Sequence, residues 1–150
     1  MKATVDTEVA APPETVYATA IDIARWPDFI TGIERIELLD DVPVRVGTRF
    51  RETRMMFGRR ATEEMTIAAL DPPHRLVLTA ENHGTRYVAT HDIVATPGGS
   101  RLTLTFEGVP VTVAAKLLSV IGMLFMGAVK RKLQEDLAQL KTEAERRARG

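Results

Sequence analysis

Five polar side chains that could do chemistry lie at alternating positions in segments predicted as strands: Glu52, Arg54, Glu63, Tyr87 and His91. Alternate side chains of a strand share a face, so the apolar positions of each segment carry these polar groups toward one interior. A neutral histidine there could take a proton from a carbon atom next to a carbonyl, as an aldol cyclisation requires. An arginine or tyrosine could stabilise the enolate oxygen, and a glutamate could orient the histidine or act as the base.

The same residues also allow a purely structural interpretation. Arg54 could pair with Glu52 or Glu63 near the mouth of a cavity, and His91 could simply form a hydrogen bond. Such an interior ion pair would be structural or would orient a ligand. Burial is inferred only from alternation, and one β-bulge would turn a side chain to the other face. The sequence therefore favours the structural interpretation over catalysis.

Composition limits the class of protein. The chain has 150 residues, 45% of them hydrophobic, which suits one soluble domain over residues 1–150. Twenty basic and twenty acidic residues give a formal net charge of zero, which argues against nucleic-acid binding. There is no cysteine, so disulfides and thiolate chemistry are excluded. His74 and His83 are expected in exposed turns, and the three histidines lack metal-ligand spacing, so we expect no metal site and no cofactor.

The predicted order of elements is a strand, two short helices, about six strands and one long helix. Residues Ala3–Ala10 alternate as a half-buried strand, and "APPETVYATAIDIARW" begins a helix with proline in its first turn. A second short helix or turn follows at "RWPDFI". The later strands are joined by short turns, including "PGGS" with Gly98-Gly99, and so predict a curved antiparallel sheet. Apolar residues recur every three or four positions from Ala114 to Ala144, which predicts one continuous helix.

The stretch "LLSVIGMLFMGAVKRK", residues 117–132, could be mistaken for a membrane anchor. Its uncharged part is shorter than the roughly twenty apolar residues that a spanning helix needs, so a membrane span is not expected. The first residues lack the apolar core of a signal peptide, and a cytoplasmic location is the default expectation. Before Lys130 both faces of the predicted helix are apolar. We therefore expect a ligand, or failing that a partner chain, to cover the second face.

Four segments in this order resemble the START-like superfamily: "APPETVYATAIDIARWPDFI", "GTRFRETRMMFGRRATEEMTIAALDPPHRL", "TPGGSRLTLTFEG" and "LQEDLAQLKTEAE". That superfamily includes the polyketide cyclase/dehydrase and lipid-transport proteins and the birch-pollen-allergen family. The resemblance extends over essentially the whole chain and implies an α+β helix-grip fold. In that fold a curved antiparallel sheet of six or seven strands wraps around a long C-terminal helix, with two short helices after the first strand. It implies a single START-like ligand-binding domain, residues 1–150, whose cavity for an apolar ligand lies between sheet and helix.

Alternation along the strands and the helix, placed on this implied architecture, predicts which side chains line the cavity. The predicted ligand-binding set is Trp26, Phe29, Phe50, Met65, Ile67, Tyr87, His91, Leu104, Phe106, Leu118, Ile121 and Phe125. Trp26 and Phe29 have a structural alternative, an aromatic plug that packs the short helix against the end of the sheet. As functional residues they would form a gate, since the short helices flank the cavity mouth in proteins of this fold.

Three hypotheses for function follow from the residues and the resemblance. The leading one is a protein that binds or carries a small hydrophobic molecule of lipid, polyketide or isoprenoid type. The second is an aromatase/cyclase-type enzyme that uses the five polar residues named first. The third is an interaction module in which Val120, Met123, Leu124 and Met126 form a homodimer or partner interface. A variant of the third is peripheral membrane contact, with Lys130-Arg131-Lys132 meeting anionic head groups.

Overall fold

The computed structural model describes residues 1–123 and 125–150, and for residues 119–122 it describes the backbone only. The strands are β1 (Lys2–Val9), β2 (Ile33–Leu38), β3 (Arg49–Met56), β4 (Arg59–Asp71), β5 (Arg75–Asn82), β6 (Thr85–Thr96) and β7 (Gly99–Pro110). The helices are α1 (Pro13–Ile21), α2 (Trp26–Phe29), α3 (Val113–Met123) and α4 (Met126–Arg149). A single 3₁₀ turn at Ile23–Arg25 joins α1 to α2.

The strands form one antiparallel sheet in the order β1-β7-β6-β5-β4-β3-β2. From β2 to β7 each strand pairs with its neighbour in sequence, because the connections are short enough for hairpins and near neighbours. β1 is the exception, since it pairs with β7, the last strand. This arrangement confirms the helix-grip fold that the sequence resemblance implied, with seven strands and two short helices after the first.

Two of the hairpin turns consist of a non-glycine residue followed by glycine, both with positive φ. Phe57 and Gly58 have φ values of 51° and 79°, and His83 and Gly84 have values of 50° and 73°. Two consecutive residues of this kind match the twist of the flanking strands, which is why such turns join tight hairpins. The turn between β6 and β7 falls on Pro97 and Gly98, because Gly99 already pairs with Thr96 in the strand.

The core lies between α1, the second half of α4 and the sheet face that they cover. Side chains of β7 alternate between the core and solvent: Leu102 and Leu104 are buried, whereas Arg101 on the other face of the strand is exposed. The helix presents Leu137, Leu140 and Ala144 to this face at helical spacing. The same face therefore holds both the packed core and, where α4 stands away from the sheet, the candidate site.

The prediction of one continuous helix from Ala114 to Ala144 was wrong in one respect. α3 ends at Met123 and α4 begins at Met126, with Phe125 as the residue that precedes its first turn. Gly122 and Gly127 flank this point, and each glycine costs about 1 kcal/mol of helix stability relative to alanine. α3 contributes little to the core, with Ala115 as its buried residue among those whose side chains are described. None of the helices in the described ranges combines the length and the apolar character needed to cross a membrane.

Candidate functional site

A cavity of about 310 Å³ lies between the sheet and the first half of α4. Most of its lining is apolar and comes from β2 to β7, from the short helices and from α4. The apolar lining residues are Met1, Ala20, Trp26, Ile30, Ile33, Met56, Ala61, Met65, Leu78, Ala89, Leu104, Phe106, Val129, Leu133, Leu137 and Leu140. The remaining lining residues are polar: Glu52, Arg54, Glu63, Tyr87, His91, Lys132 and Asp136.

Arg54 is the centre of a polar cluster on one side of the cavity. Its Nε donates to Oε1 of Glu52 at 2.8 Å, and its Nη2 donates to Oδ2 of Asp136 at 2.9 Å. The strand alternation that buries Phe50 places Glu52 and Arg54 on the same face of β3, while Asp136 reaches the cluster from α4. All three side chains are largely buried, with exposed fractions of 18% for Arg54, 9% for Glu52 and 17% for Asp136. The cluster therefore connects the sheet to the helix across the cavity.

Burial controls the protonation of this cluster. It raises the pKa of both Glu52 and Asp136 above their ordinary values, and the nearby Arg54 guanidinium opposes that rise. Burial also acts to lower the pKa of Arg54, but the two carboxylates outweigh it and the pKa is raised. Arg54 is therefore the fixed cation of the cluster, and the two carboxyl groups are the members that can exchange a proton.

Glu63 stands next to this cluster without joining it. It lies directly opposite Glu52 in the pairing of β3 with β4, and its Oε1 accepts a hydrogen bond from Nδ2 of Asn82 at 3.0 Å. The sequence offered Glu52 or Glu63 as the partner of Arg54, and the structure selects Glu52 and adds Asp136. Glu63 thus contributes a further carboxylate to the polar side of the cavity.

His91 occupies a different and mainly apolar part of the cavity. It lies on β6 between Leu76 of β5 and Leu104 of β7. Its Nδ1 is buried and has no hydrogen-bond partner among the described residues, so the hydrogen bond expected from the sequence is absent at this atom. Burial lowers the pKa of His91 to about 4, against an opposing effect of Asp92, and the imidazole is neutral at pH 7.

The acidic side chains do not reach His91. His91 on β6 is three strands from Glu52 on β3 and two strands from Glu63 on β4, which are distances of roughly 14 Å and 10 Å at the usual strand spacing. The carboxyl groups of Glu52 and Glu63 instead bond Arg54 and Asn82. The sequence hypothesis in which a glutamate orients His91 therefore has no geometric basis here.

Aromatic side chains define two walls of the cavity. Tyr87 stacks on Phe106, with 5.5 Å between ring centroids, and a Cβ at Gly108 would lie 3.2 Å from the Tyr87 ring. Glycine at 108 therefore leaves room for that ring. On the opposite side Trp26 packs edge-on against Phe50 at 5.8 Å and donates from Nε1 to the carbonyl oxygen of Ala20 at 3.1 Å. The Trp26 ring is thus held at a fixed position beside the cavity.

Several residues of the predicted ligand-binding set lie elsewhere. Phe50 and Ile67 are fully buried in the core and do not line the cavity, because alternation predicts the face of a strand but not how deeply a side chain is packed. Phe29 does not line the cavity, and Cζ of Arg147 lies 5.7 Å from the centroid of its ring.

The first half of the predicted C-terminal helix accounts for the remaining differences. Leu118 and Phe125 are 60% and 57% exposed, and neither lines the cavity. The side chain of Ile121 lies outside the described residues. Of the five polar candidates and the rest of the ligand-binding set, the structure places Trp26, Glu52, Arg54, Glu63, Met65, Tyr87, His91, Leu104 and Phe106 in the cavity lining.

Asp136 and Lys132 are the polar lining residues that the sequence reasoning missed, and Asp136 is the one that bonds Arg54. It lies in the segment "LQEDLAQL", three residues after Leu133 and four before Leu140, on the same helical face as both. An acidic residue inside an apolar stripe was therefore the available signal. The described residues hold no group of three or more histidine, aspartate or glutamate side chains arranged to bind a metal ion.

Comparison with known proteins agrees with this geometry. The family model for polyketide cyclase / dehydrase and lipid transport matches residues 1–145. The ZhuI aromatase/cyclase from Streptomyces sp. R1128 is 21% identical, with a TM-score of 0.77, over 98% of this chain and 93% of that one. The di-domain aromatase/cyclase StfQ from the steffimycin biosynthetic pathway is 17% identical, with a TM-score of 0.79, over 99% of this chain and 52% of that one.

A third solved structure, Ara h 8.0201, is 16% identical with a TM-score of 0.72, and the similarity covers 96% of this chain and 97% of that one. At these identities the solved structures show a common fold. A search of curated proteins found no match. Because the family model covers nearly the whole chain, from the first strand into the last helix, this protein belongs to the polyketide cyclase/dehydrase and lipid transport family.

Proposed function

We propose that this protein binds one small hydrophobic molecule in the cavity between the sheet and α4. The observation that carries the proposal is the cavity itself, about 310 Å³ in volume and lined mainly by apolar side chains with a polar cluster on one side. Small-molecule sites have this composition, a mostly apolar wall with a few placed polar groups. The family to which the chain belongs, which includes lipid-transport proteins, supports the same conclusion.

The cavity volume limits the size of the ligand. It lies at the lower end of the range of roughly 300–1,000 Å³ that small-molecule sites occupy. A molecule of two or three fused rings, or a short isoprenoid or acyl chain, fits this space better than a lipid with two long chains. The proposed ligand is therefore a small aromatic or aliphatic molecule with limited polar substitution.

Binding can be tested with N-phenyl-1-naphthylamine, an uncharged apolar probe whose fluorescence rises in apolar surroundings. We expect saturable binding of one probe per chain. Ala89 lines the cavity, so Ala89→Phe should fill part of it and weaken binding by about tenfold or more, as a loss of ~1.4 kcal/mol would. Ala95→Phe is the matched control, because Ala95 lies on the same strand but is exposed. Equal binding by the two variants would count against the cavity as the site.

A second candidate function is catalysis of proton transfer at a carbon next to a carbonyl. The observation that favours it is the pair of buried carboxyl groups, Glu52 and Asp136, whose raised pKa values suit general acid–base chemistry beside the Arg54 cation. Hydrogen–deuterium exchange of 1-tetralone, a bicyclic ketone, followed by NMR, tests this directly. Faster exchange with the wild-type protein than with Glu52→Gln would support it, and exchange at the buffer rate would refute it.

A further inference from the structure

The charges that line the cavity are unequal in number. Within the described part of the lining, three carboxyl groups face two cations, Arg54 and Lys132. Arg54 already bonds two of those carboxyl groups, Glu52 and Asp136. Nζ of Lys132 lies 3.7 Å from Oε2 of Glu135, a residue that does not line the cavity. An anionic ligand would therefore find no cation in this part of the lining that is free of a carboxylate partner.

The carboxyl groups, by contrast, have unused hydrogen-bonding capacity. Glu52 and Glu63 each use Oε1, and Asp136 uses Oδ2, in the hydrogen bonds described above. The second oxygen of each accepts no side-chain or backbone hydrogen bond from the described residues. A carboxylate can accept several hydrogen bonds, so these oxygens would accept a donor from a bound molecule.

We propose that the ligand is uncharged and directs a hydroxyl group, or another hydrogen-bond donor, at the carboxyl groups of Glu52, Glu63 and Asp136. This inference rests on the proposed binding function and specifies its chemistry. A ligand carboxylate would meet like charges in surroundings of low dielectric constant, which strengthens the repulsion. The cavity thus selects hydroxylated or phenolic molecules over free acids.

Three probes with the same ring system separate the contributions: 1-naphthol, 1-naphthoic acid and 1-methylnaphthalene. At pH 7 they present a hydroxyl donor, a carboxylate and a methyl group. Calorimetry should give 1-naphthol a Kd about tenfold or more below that of 1-naphthoate, because hydrogen bonds to charged groups favour the first and repulsion opposes the second. The Kd of 1-methylnaphthalene should lie between the two. Tighter or equal binding of 1-naphthoate would overturn the inference.

Variants of the carboxyl groups provide the second arm of the test. Glu52→Gln and Asp136→Asn each remove one negative charge and leave Arg54 with a single carboxylate, so each should reduce the preference for 1-naphthol. Glu64→Gln is the matched control, because Glu64 is the exposed neighbour of Glu63 on β4. An unchanged preference in both cavity variants would overturn the inference. Failure of every probe to bind would overturn the proposed function together with it, whereas tight binding of 1-naphthoate would overturn the inference alone.

A separate observation concerns the surface around α3. From Gly108 to Gln134 the sequence contains Lys116, Lys130, Arg131 and Lys132 and no acidic residue. Over the same range Val113, Leu117 and Phe125 are 75%, 72% and 57% exposed. Apolar side chains next to basic ones, on a short helix, are the features of segments that lie in the interface of an anionic membrane.

From this charge pattern we infer that α3 and the start of α4 contact an anionic lipid surface. Val129 and Lys132 belong both to this surface and to the cavity lining, so a membrane-bound protein would hold its cavity next to the lipid. Every charged residue from Gly108 to Gln134 is basic, and the first acidic residue after this range, Glu135, pairs with Lys132. This excess of positive charge favours a lipid surface over a second copy of the chain, because two copies would bring like charges together.

Co-sedimentation with vesicles tests the inference. We expect binding to phosphatidylcholine vesicles that contain phosphatidylglycerol, weaker binding at high salt, and a loss of severalfold or more in Leu117→Gln. Val94→Gln is the matched control, since Val94 is 60% exposed on β6, away from α3. Light scattering of the free protein should show a monomer. Equal binding by both variants, no binding to anionic vesicles, or a stable dimer would each overturn the inference.

Discussion

His91 should make the stability of this protein depend on pH in the range where exposed histidines titrate. The pKa of this buried imidazole is about 4 in the folded chain, against 6.5 for an unperturbed histidine. As the pH falls below 6.5 the unfolded chain takes up a proton that the folded chain does not. A group whose pKa is lowered by folding stabilises the fold above its unfolded pKa, and that stability is lost as the pH falls toward the folded value.

The size of the effect follows from the two pKa values. Between pH 7 and pH 5 the unfolded state gains about 0.7 of a proton at this site, while the folded state remains largely neutral. The corresponding loss of unfolding free energy is about 2 kcal/mol. For a chain of this length that is a decrease in Tm of about 4–8 °C. Replacement with leucine, His91→Leu, removes this contribution, and the neighbours Leu76 and Leu104 provide an apolar site for the new side chain.

Urea unfolding at pH 7 and pH 5, followed by the fluorescence of Trp26, measures the difference. Trp26 is the single tryptophan of the chain and is buried beside the cavity, so its emission reports on the core. Other groups also titrate, including Glu52 and Asp136, whose raised pKa values act in the opposite direction. These contributions are common to both proteins and cancel when the two pH dependences are subtracted.

The control for this experiment is His83→Asn. His83 is exposed in a turn with positive φ, a conformation that asparagine also adopts, so this variant should retain the wild-type pH dependence. The expected result is that His91→Leu loses about 2 kcal/mol less than wild type between pH 7 and pH 5. If wild type and His91→Leu lost the same unfolding free energy between pH 7 and pH 5, His91 would have to be solvated or hydrogen-bonded, and the reasoning from its burial would be refuted.

Three further outcomes are expected. Arg54→Met leaves the buried carboxyl groups of Glu52 and Asp136 without a counter-charge, so the free energy of unfolding at pH 7, measured in urea, should fall by about 3–5 kcal/mol. Part of this loss should be recovered at pH 5, where protonation removes the negative charges. Wild-type stability at pH 7 would contradict the prediction. Gly99→Ala should lower Tm strongly, because Gly99 has φ of 145° and an added Cβ would clash with the carbonyl oxygen of Val9. In Gly98→Ala the added Cβ meets nothing within 4 Å, so this variant should change Tm little. Hydrogen bonds from Arg146 and Arg147 lower the pKa of Glu143 to about 2. The contribution of this carboxylate to stability should therefore be lost as the pH falls from 4.5 toward 2, and Glu143→Gln should flatten that part of an acid-unfolding curve.

Alternation along the strands was sufficient to predict the polar residues that the strands bring to the cavity, but not their contacts and not the polar residues of α4. Glu52, Arg54, Tyr87 and His91 line it because side chains two positions apart share a face, and the bulges lie elsewhere along the strands. Arg54 bonds Asp136, which lies on α4, more than eighty residues further along the sequence. A pattern within one element contains no information about that approach.

The least predictable feature was the break between α3 and α4. Apolar spacing continues through residues 113–129, so nothing in the pattern distinguishes the part that packs on the sheet from the part that leaves it. Leu118 and Val129 share the predicted stripe, yet Leu118 is exposed and Val129 lines the cavity. Helical spacing predicts which residues share a face, whereas the position of that face relative to the sheet depends on tertiary packing.

The pairing of β1 with β7 also determines when the binding site can exist during synthesis. The strands from β2 to β7 can form successive hairpins as they emerge, because each pairs with its neighbour in sequence. β1 is made first but has no partner strand until β7 has been made. α4 is made after all seven strands, and it supplies one wall of the cavity and Asp136 of the polar cluster. A nascent chain that lacks β7 and α4 therefore has an incomplete sheet and no complete cavity, and the proposed ligand could stabilise the fold only after α4 has been synthesised.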